Sequence, residues 1–264
     1  MKHGLLPLIT APDGGALSLS VTLQEGEEII EGSLTDAAGN VYPIEDGIPR
    51  LIGNSLLTAQ RSEMQARDAQ VKDYDAMAFL KGFGWVEIPL TMNALGPRPD
   101  DRLLEAGCGT GRMTKTLAAS VRELVAIDFS FESLRVNRQK LIAAGVENVH
   151  LVQANLCTLP FPTAIFNRVV SCQVLEHVPD EASRRSAVSE LARVARPQST
   201  VVLSAYQHSL ATRLFGQKQG EHDGGIPFFR FESKELKELL ETSLQVKSMT
   251  GALVYLHLAK CVKA

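Results

Sequence analysis

The stretch Leu103-Leu-Glu-Ala-Gly107-Cys-Gly109-Thr-Gly111-Arg-Met-Thr114 passes from an apolar strand pattern, through three alternating glycines, into a helical pattern. Glycine in such a loop permits positive φ and lets a ligand touch the backbone. A dinucleotide site requires G-x-G-x-x-G, so that pyrophosphate rests on the helix N-terminus. Counted from Gly107 the third glycine position holds Arg112, and counted from Gly109 it holds Thr114, so neither frame fits. No Gly-Lys-Ser/Thr follows, which removes the nucleoside-triphosphate loop as well. What stands is Glu-x-Gly-x-Gly-x-Gly, opening at Glu105.

Outward from this loop, short β-branched runs alternate with helical ones, the rhythm of a parallel α/β sheet. Strands are predicted at 102–106, 123–128, 148–153, 167–172 and 200–205, and helices at about 111–120, 131–144 and 181–195. A further helix is expected over 233–242, with Ser233 as N-cap and Glu235 in the first turn, where the helix dipole favours it. Two strand candidates follow, near 244–249 and 252–259. No crossover helix fits between them, so they must be antiparallel neighbours.

Upstream the texture differs. Residues 5–52 hold short apolar runs between turns: Leu17–Leu23 alternates with period two, Ala38-Gly39-Asn40 is a turn signal, and Tyr42-Pro-Ile44 precedes Asp46-Gly47. From Asn54 to about Leu95 the pattern is helical, with Ser55 or Thr58 as N-cap and Met64, Val71, Tyr74 and Met77 at helical intervals, until Gly96-Pro97-Arg98-Pro99 ends it. The chain thus divides into a small β-rich module at 1–53, a helical linker or lid at 54–97 and an α/β domain at 98–264.

The 264 residues are 45% hydrophobic and 22% charged, a globular composition. No apolar run reaches the ~18 residues of a membrane span, and the first ten residues are too short an apolar stretch for a secretory signal, so a cytoplasmic address is expected. Cys108, Cys157, Cys172 and Cys261 form no C-x-x-C and read as reduced thiols, with no metal site. The net charge is −3, and residues 1–50 carry eight carboxylates against Lys2 and Arg50, a net of −6. An acidic leader repels phosphate. The Arg184, Arg185, Arg193 and Arg196 cluster reads as the solvated face of a helix, balanced by Glu181 and Glu190.

The Glu105–Gly111 loop, with Asp128 closing Val-Ala-Ile-Asp-Phe-Ser seventeen residues later, resembles the class I S-adenosylmethionine (SAM)-dependent methyltransferases of the methyltransferase type 11 kind. Two further blocks agree in order and spacing: Val152-Gln-Ala-Asn155-Leu-Cys-Thr-Leu159-Pro160-Phe161, and Ser171-Cys-Gln-Val-Leu-Glu176-His177-Val-Pro-Asp180. The resemblance covers about residues 70–264. It implies a Rossmann-like seven-stranded sheet with helices on both faces and an antiparallel last strand pair. It also implies SAM as cofactor, with S-adenosylhomocysteine as product. Carried over by position, Glu105, Gly107, Cys108, Gly109 and Gly111 would lie against the amino-acid and ribose parts, and Asp128 would accept from both ribose hydroxyls. A carboxylate, which only accepts, suits a vicinal diol. Phe129, Leu156 and Cys172 would complete the cofactor site. Asn155 stands where the family usually has an acid facing the adenine amine; its side-chain carbonyl can still accept, or it can serve an Asx turn.

Methyl transfer from a sulfonium requires alignment and dryness more than functional groups, and a base only where the acceptor loses a proton. His177, at the end of the fourth core strand, is the candidate base, or else it shapes the pocket through a backbone hydrogen bond; His208 and His222 come second. The long interval 206–231, with Arg213 and Phe215, is expected to cover the acceptor pocket together with Tyr74, Phe79, Phe83 and Trp85. The expected partner is a small-molecule acceptor, oxygen ahead of nitrogen or carbon; nucleic acid and membrane are not expected, and a homodimer is allowed. The leader, from Leu34 through Asp46 to Leu51, resembles the end of a zinc-ribbon module found ahead of some RNA methyltransferases and in methyltransferase activators. Thr35 and Ala38 stand in place of one cysteine pair and 11–14 in place of the other, which leaves no soft tetrahedral site. That likeness supplies two alternatives, an rRNA or tRNA methyltransferase and a non-catalytic SAM-binding partner of another methyltransferase.

Overall fold

The runs Arg102–Ala106 and Glu123–Asp128 are buried at nearly every position, as befits strands covered on both faces. They form β5 and β6, at the limits read from the sequence. A computed structural model describes residues 1–53, 64, 68, 78–209, 212, 217–222, 225–252 and 255–264, with backbone alone at 78–85 and 252. Successive residues of β5 and β6 point to opposite sides. Leu104, Val125 and Ile127 enter a core on one face, while Leu103, Leu124 and Ala126 enter the other.

The remaining core strands are β7 (Val149–Ala154), β8 (Phe166–Cys172), β9 (Ala195–Tyr206), β12 (Gln245–Ala252) and β13 (Leu256–Val262). In space they run β7-β6-β5-β8-β9-β13-β12, with β13 antiparallel to both β9 and β12. This is the seven-stranded order of a Rossmann-like methyltransferase sheet. Helices α1 (Ala78–Leu95), α2 (Thr114–Ala118) and α3 (Phe131–Ala143) precede or connect the first strands. Leu95, Leu117 and Leu134 pack in one core, whereas α4 (Glu181–Val194) and α5 (Ser233–Leu240) bury Leu191 and Leu236 in the other. Ser233 is not the cap of α5. Glu232 holds that position, and its carboxylate and that of Glu235 bond reciprocally to the two backbone amides of a capping box.

The leader forms an antiparallel meander, β1 (Leu17–Glu25), β2 (Glu28–Asp36), β3 (Val41–Glu45) and β4 (Ile48–Leu51). It continues the same sheet, because β4 pairs in parallel with β7 through Arg50–Gln153 and Leu51–Ala154, giving eleven strands among the described residues. Ile48 and Leu51 are buried in different cores, so β4 is covered on both faces like a central strand. The turn after β2 is organised by Asp36, which accepts from the amides of Ala38 (2.9 Å) and Asn40 (2.8 Å), the Asn40 side chain (2.8 Å) and the Tyr42 hydroxyl (3.1 Å). These bonds, Asn40's first, hold its carboxyl below the usual carboxylate range.

A short hairpin, β10 (Gln219–His222) and β11 (Ile226–Phe229), lies within the 206–231 interval. The arginines of α4 are not merely solvated. Arg184 donates to the Val178 carbonyl (2.8 Å) and lies over the Phe229 ring (4.7 Å), and Arg193 donates to the carbonyls of Leu159 and Phe161. Ser55, Thr58, Val71, Tyr74, Met77, Arg213 and Phe215 lie outside the described residues, as do the side chains of Phe79, Phe83 and Trp85. No helix among the described residues is long and apolar enough to cross a membrane.

Candidate active site

A cleft opens at the carboxyl ends of β5, β6, β7 and β8, where open α/β sheets bind ligands. Its floor is the glycine loop. Gly107 has φ +83°, and a Cβ there would lie 2.2 Å from Val174 Cγ2, so only glycine lets the loop pass the segment after β8 this closely. The amides of Gly107 and Cys108 both donate to the Ile127 carbonyl, tying the loop to β6. Gly111 serves a different purpose: it does not line the cleft, and a Cβ there would meet Asn137 of α3 at 2.3 Å.

Asp128, at the end of β6, accepts from the Gly109 amide (2.7 Å) through one oxygen and the Ser130 amide (2.9 Å) through the other. These two amides fix the carboxylate in the cleft wall. Phe129 follows it, and Ala154, Asn155 and Leu156 form the wall beyond β7. The Asn155 side-chain oxygen Oδ1 accepts from the Cys157 amide (2.9 Å), closing an Asx turn, so its first bond is local. Cys108 and Cys172 line the cleft as thiols; burial pushes Cys172 up to about 12 and Cys108 well above its ordinary value. Neither is poised as a nucleophile.

Glu105 decides what the cleft can hold. Its side chain is buried, and Oε2 has no hydrogen-bond partner among the described residues. Burial, opposed by a bond from Thr114 and the charge of Arg112, pushes the carboxyl up to about 8. A cationic ligand would meet the stranded oxygen and favour the ionised form, and SAM carries both an ammonium and a sulfonium. The residues present therefore fit that cofactor. One consequence is measurable. At pH 7 the unliganded carboxyl is mostly protonated, so S-adenosylhomocysteine binding should release about one proton, seen as a calorimetric enthalpy that varies with buffer ionisation enthalpy. Glu105→Gln should abolish the release; an equal release from the variant would refute the assignment. The sign for stability is the opposite. A raised folded-state pKa makes the Glu105 contribution greatest below pH ~4.5 and lost as pH rises through about 8.

Arg112, Met113, Gln173, Val174, Val178 and Pro179 also line the cleft and were not singled out in the sequence. The signal for Gln173 in the sequence is its place directly after β8; the structure adds φ +57°, unusual for a non-glycine residue and common where function imposes strain. His177 lies just outside the lining, on a 3-10 turn, Leu175–His177. Its Nδ1 is 2.9 Å from the Pro227 carbonyl of the hairpin, and its ring lies 5.6 Å from Tyr206 and 5.7 Å from His222. His208 is tied by its amide to the Phe231 carbonyl (2.8 Å). Two residues of the linker reach the other end: Asp68 accepts from Ser130 Oγ (2.5 Å), and Met64 Sδ lies 3.8 Å from Gln153 Nε2. Among the described residues no His/Cys/Asp/Glu cluster could hold a metal ion.

Comparison with known proteins decides the family. Residues 104–203 match the methyltransferase domain model. Demethylmenaquinone methyltransferase of Staphylococcus aureus is 31% identical over 194 residues, covering 63% of this chain and 78% of the relative. The chain belongs to the class I SAM-dependent methyltransferases. The fold agrees: DhpI, solved as its complex with S-adenosylhomocysteine, superposes with a TM-score of 0.61 at 20% identity, over 78% of this chain and 97% of that one. A SAM-dependent methyltransferase of Methanosarcina mazei gives 0.58 at 20% identity, over 66% and 97%. The cofactor of this methyltransferase is accordingly S-adenosylmethionine.

Proposed function

We propose that the protein methylates a small molecule at a hydroxyl oxygen, with Glu105, the glycine loop, Asp128, Phe129, Asn155, Leu156 and Cys172 forming the cofactor site and His177 acting as general base. The observation that carries the base assignment is the Nδ1 contact with the Pro227 carbonyl. A carbonyl only accepts, so the proton sits on Nδ1 and Nε2 is left as the basic nitrogen. When bound, SAM supplies an electrophilic methyl group on a sulfonium. Displacement at such a carbon needs the acceptor oxygen held in line and water kept out. Val178 and Pro179 join the cleft to the His177 turn, and Tyr206, His222 and Phe228 pack in a half-buried aromatic group beside it. Rings of this kind suit a planar, largely apolar acceptor. The acceptor's hydroxyl proton passes to His177 Nε2, and the Pro227 carbonyl stabilises the imidazolium through Nδ1–H.

A small-molecule acceptor is supported by the relative named for demethylmenaquinone and by the acidic leader, which opposes RNA. We read that leader as a ribbon without metal, in which Asp36 and, through its bond from the Gly15 amide (3.0 Å), Asp13 tie the turns where cysteine pairs would stand. The test is transfer of labelled methyl from SAM into a cell extract separated into metabolites and RNA. Label is expected among the metabolites; label confined to RNA would overturn the reading. His177→Gln should lower the rate at neutral pH by about 10²–10⁴-fold while leaving S-adenosylhomocysteine affinity unchanged. An unaltered rate would remove His177 as the base.

A further inference from the structure

Glu87 lies on α1, outside the sheet, and is only 1% exposed although it is charged. A carboxylate this deeply buried persists only where donors meet it. Three do: Arg112 (2.6 Å) and Gln173 Nε2 (2.6 Å) on Oε2, and Ser204 Oγ (2.7 Å) on Oε1. They come from the glycine loop, the residue after β8 and the end of β9. One side chain therefore joins the glycine loop to the ends of two neighbouring strands beside the cleft.

Two of these donors, Arg112 and Gln173, line the cleft, and Glu87 itself does not. Gln173 is held twice, since its amide also donates to the Ser204 carbonyl (2.9 Å) while its backbone stays at φ +57°. If the purpose were only to dock α1, apolar contacts would serve at least as well, because buried ion pairs contribute little net stability. The placement of the charge is the informative fact. Arg112 lines the cleft with Glu105, close enough for its charge to act on that carboxyl. A guanidinium is suited to take a carboxylate, and the cofactor's amino-acid end carries one beside its ammonium. We infer that Glu87 is a positioning residue, which holds Arg112 and Gln173 in the geometry that receives the amino-acid end of the cofactor. The inference rests on the cofactor placement described above.

The experiment compares two ligands by calorimetry on the full chain: S-adenosylhomocysteine, and 5′-methylthioadenosine, which lacks the amino-acid end. Glu87→Gln keeps the shape and removes the charge. It should weaken S-adenosylhomocysteine by about tenfold or more, the loss of one charge-assisted bond, and leave methylthioadenosine affinity as in the wild type. Equal weakening of both ligands would mean a merely structural role and would overturn the inference, as would unchanged affinity for both. Should Glu87→Gln fail to fold by circular dichroism, Ser204→Ala carries the same test. It removes the bond to Glu87 Oε1 at a residue that does not line the cleft, and the same split between ligands is expected. A wild-type chain that binds neither ligand would instead refute the cofactor placement, and the inference with it.

Discussion

Removal of residues 1–53 is expected to give a chain that aggregates, and the intact protein is expected to melt in one cooperative transition. Leu5, Ile29, Leu34, Ile44 and Leu51 of the leader are fully or almost fully buried in the same core as Leu104, Val125 and Val152 of the central strands. Each such side chain contributes about 1.5–3 kcal/mol by leaving water. Removing them exposes the apolar surface they cover, and it strips β4 from β7, leaving a free strand edge of the kind that templates association. The leader is further tied to the loop after β7, where the Thr10 amide donates to the Pro160 carbonyl (2.9 Å). A milder version isolates packing: Ile29→Ala should cost about 2–5 kcal/mol and lower the melting temperature on the order of 5–10 °C without splitting the transition. Scanning calorimetry and size-exclusion chromatography check both statements. A monodisperse 54–264 chain that melts where the intact protein does would contradict them.

The parts of this architecture that local pattern dictates were readable in advance. β5 and β6 are short, mainly apolar runs between turn residues, and α4 begins where Asp180 accepts from the Ser183 amide (2.8 Å), an ordinary N-cap. At the start of α5 Ser233 is the better cap by type, yet Glu232 takes that position through its exchange with Glu235. The pairing of β4 with β7 could not be read at all. Four residues carry no register, and their partner lies a hundred positions away. Glycines behave similarly: Gly107 and Gly111 look alike in sequence, yet one faces Val174 at the cleft and the other faces Asn137 in the protein body. Glu87 illustrates the limit most clearly. A charge on a helix reads as solvent-facing, and only the convergence of Arg112, Gln173 and Ser204 makes its burial possible.

Asp128→Ala is expected to lower cofactor affinity by about a hundredfold or more. Two effects combine. The substitution removes the acceptor of two charge-assisted bonds from the ribose diol, each contributing about 1.5–3 kcal/mol. It also releases the Gly109 and Ser130 amides that Asp128 holds, so the glycine loop loses its side-chain tie to the end of β6 while the backbone bonds to Ile127 remain. Asp128→Asn, which keeps the shape and one acceptor, should fall between the variant and the wild type. Circular dichroism separates this loss from unfolding, since Asp128 is at the rim of the sheet and the cores beneath it are unchanged.

The most direct measurement is therefore titration calorimetry of the intact chain with S-adenosylhomocysteine, repeated on Asp128→Ala. Stoichiometric binding by the wild type and near-complete loss in the variant are predicted. No binding by the folded wild type, or equal affinity in the two proteins, would contradict the cofactor site described for this chain.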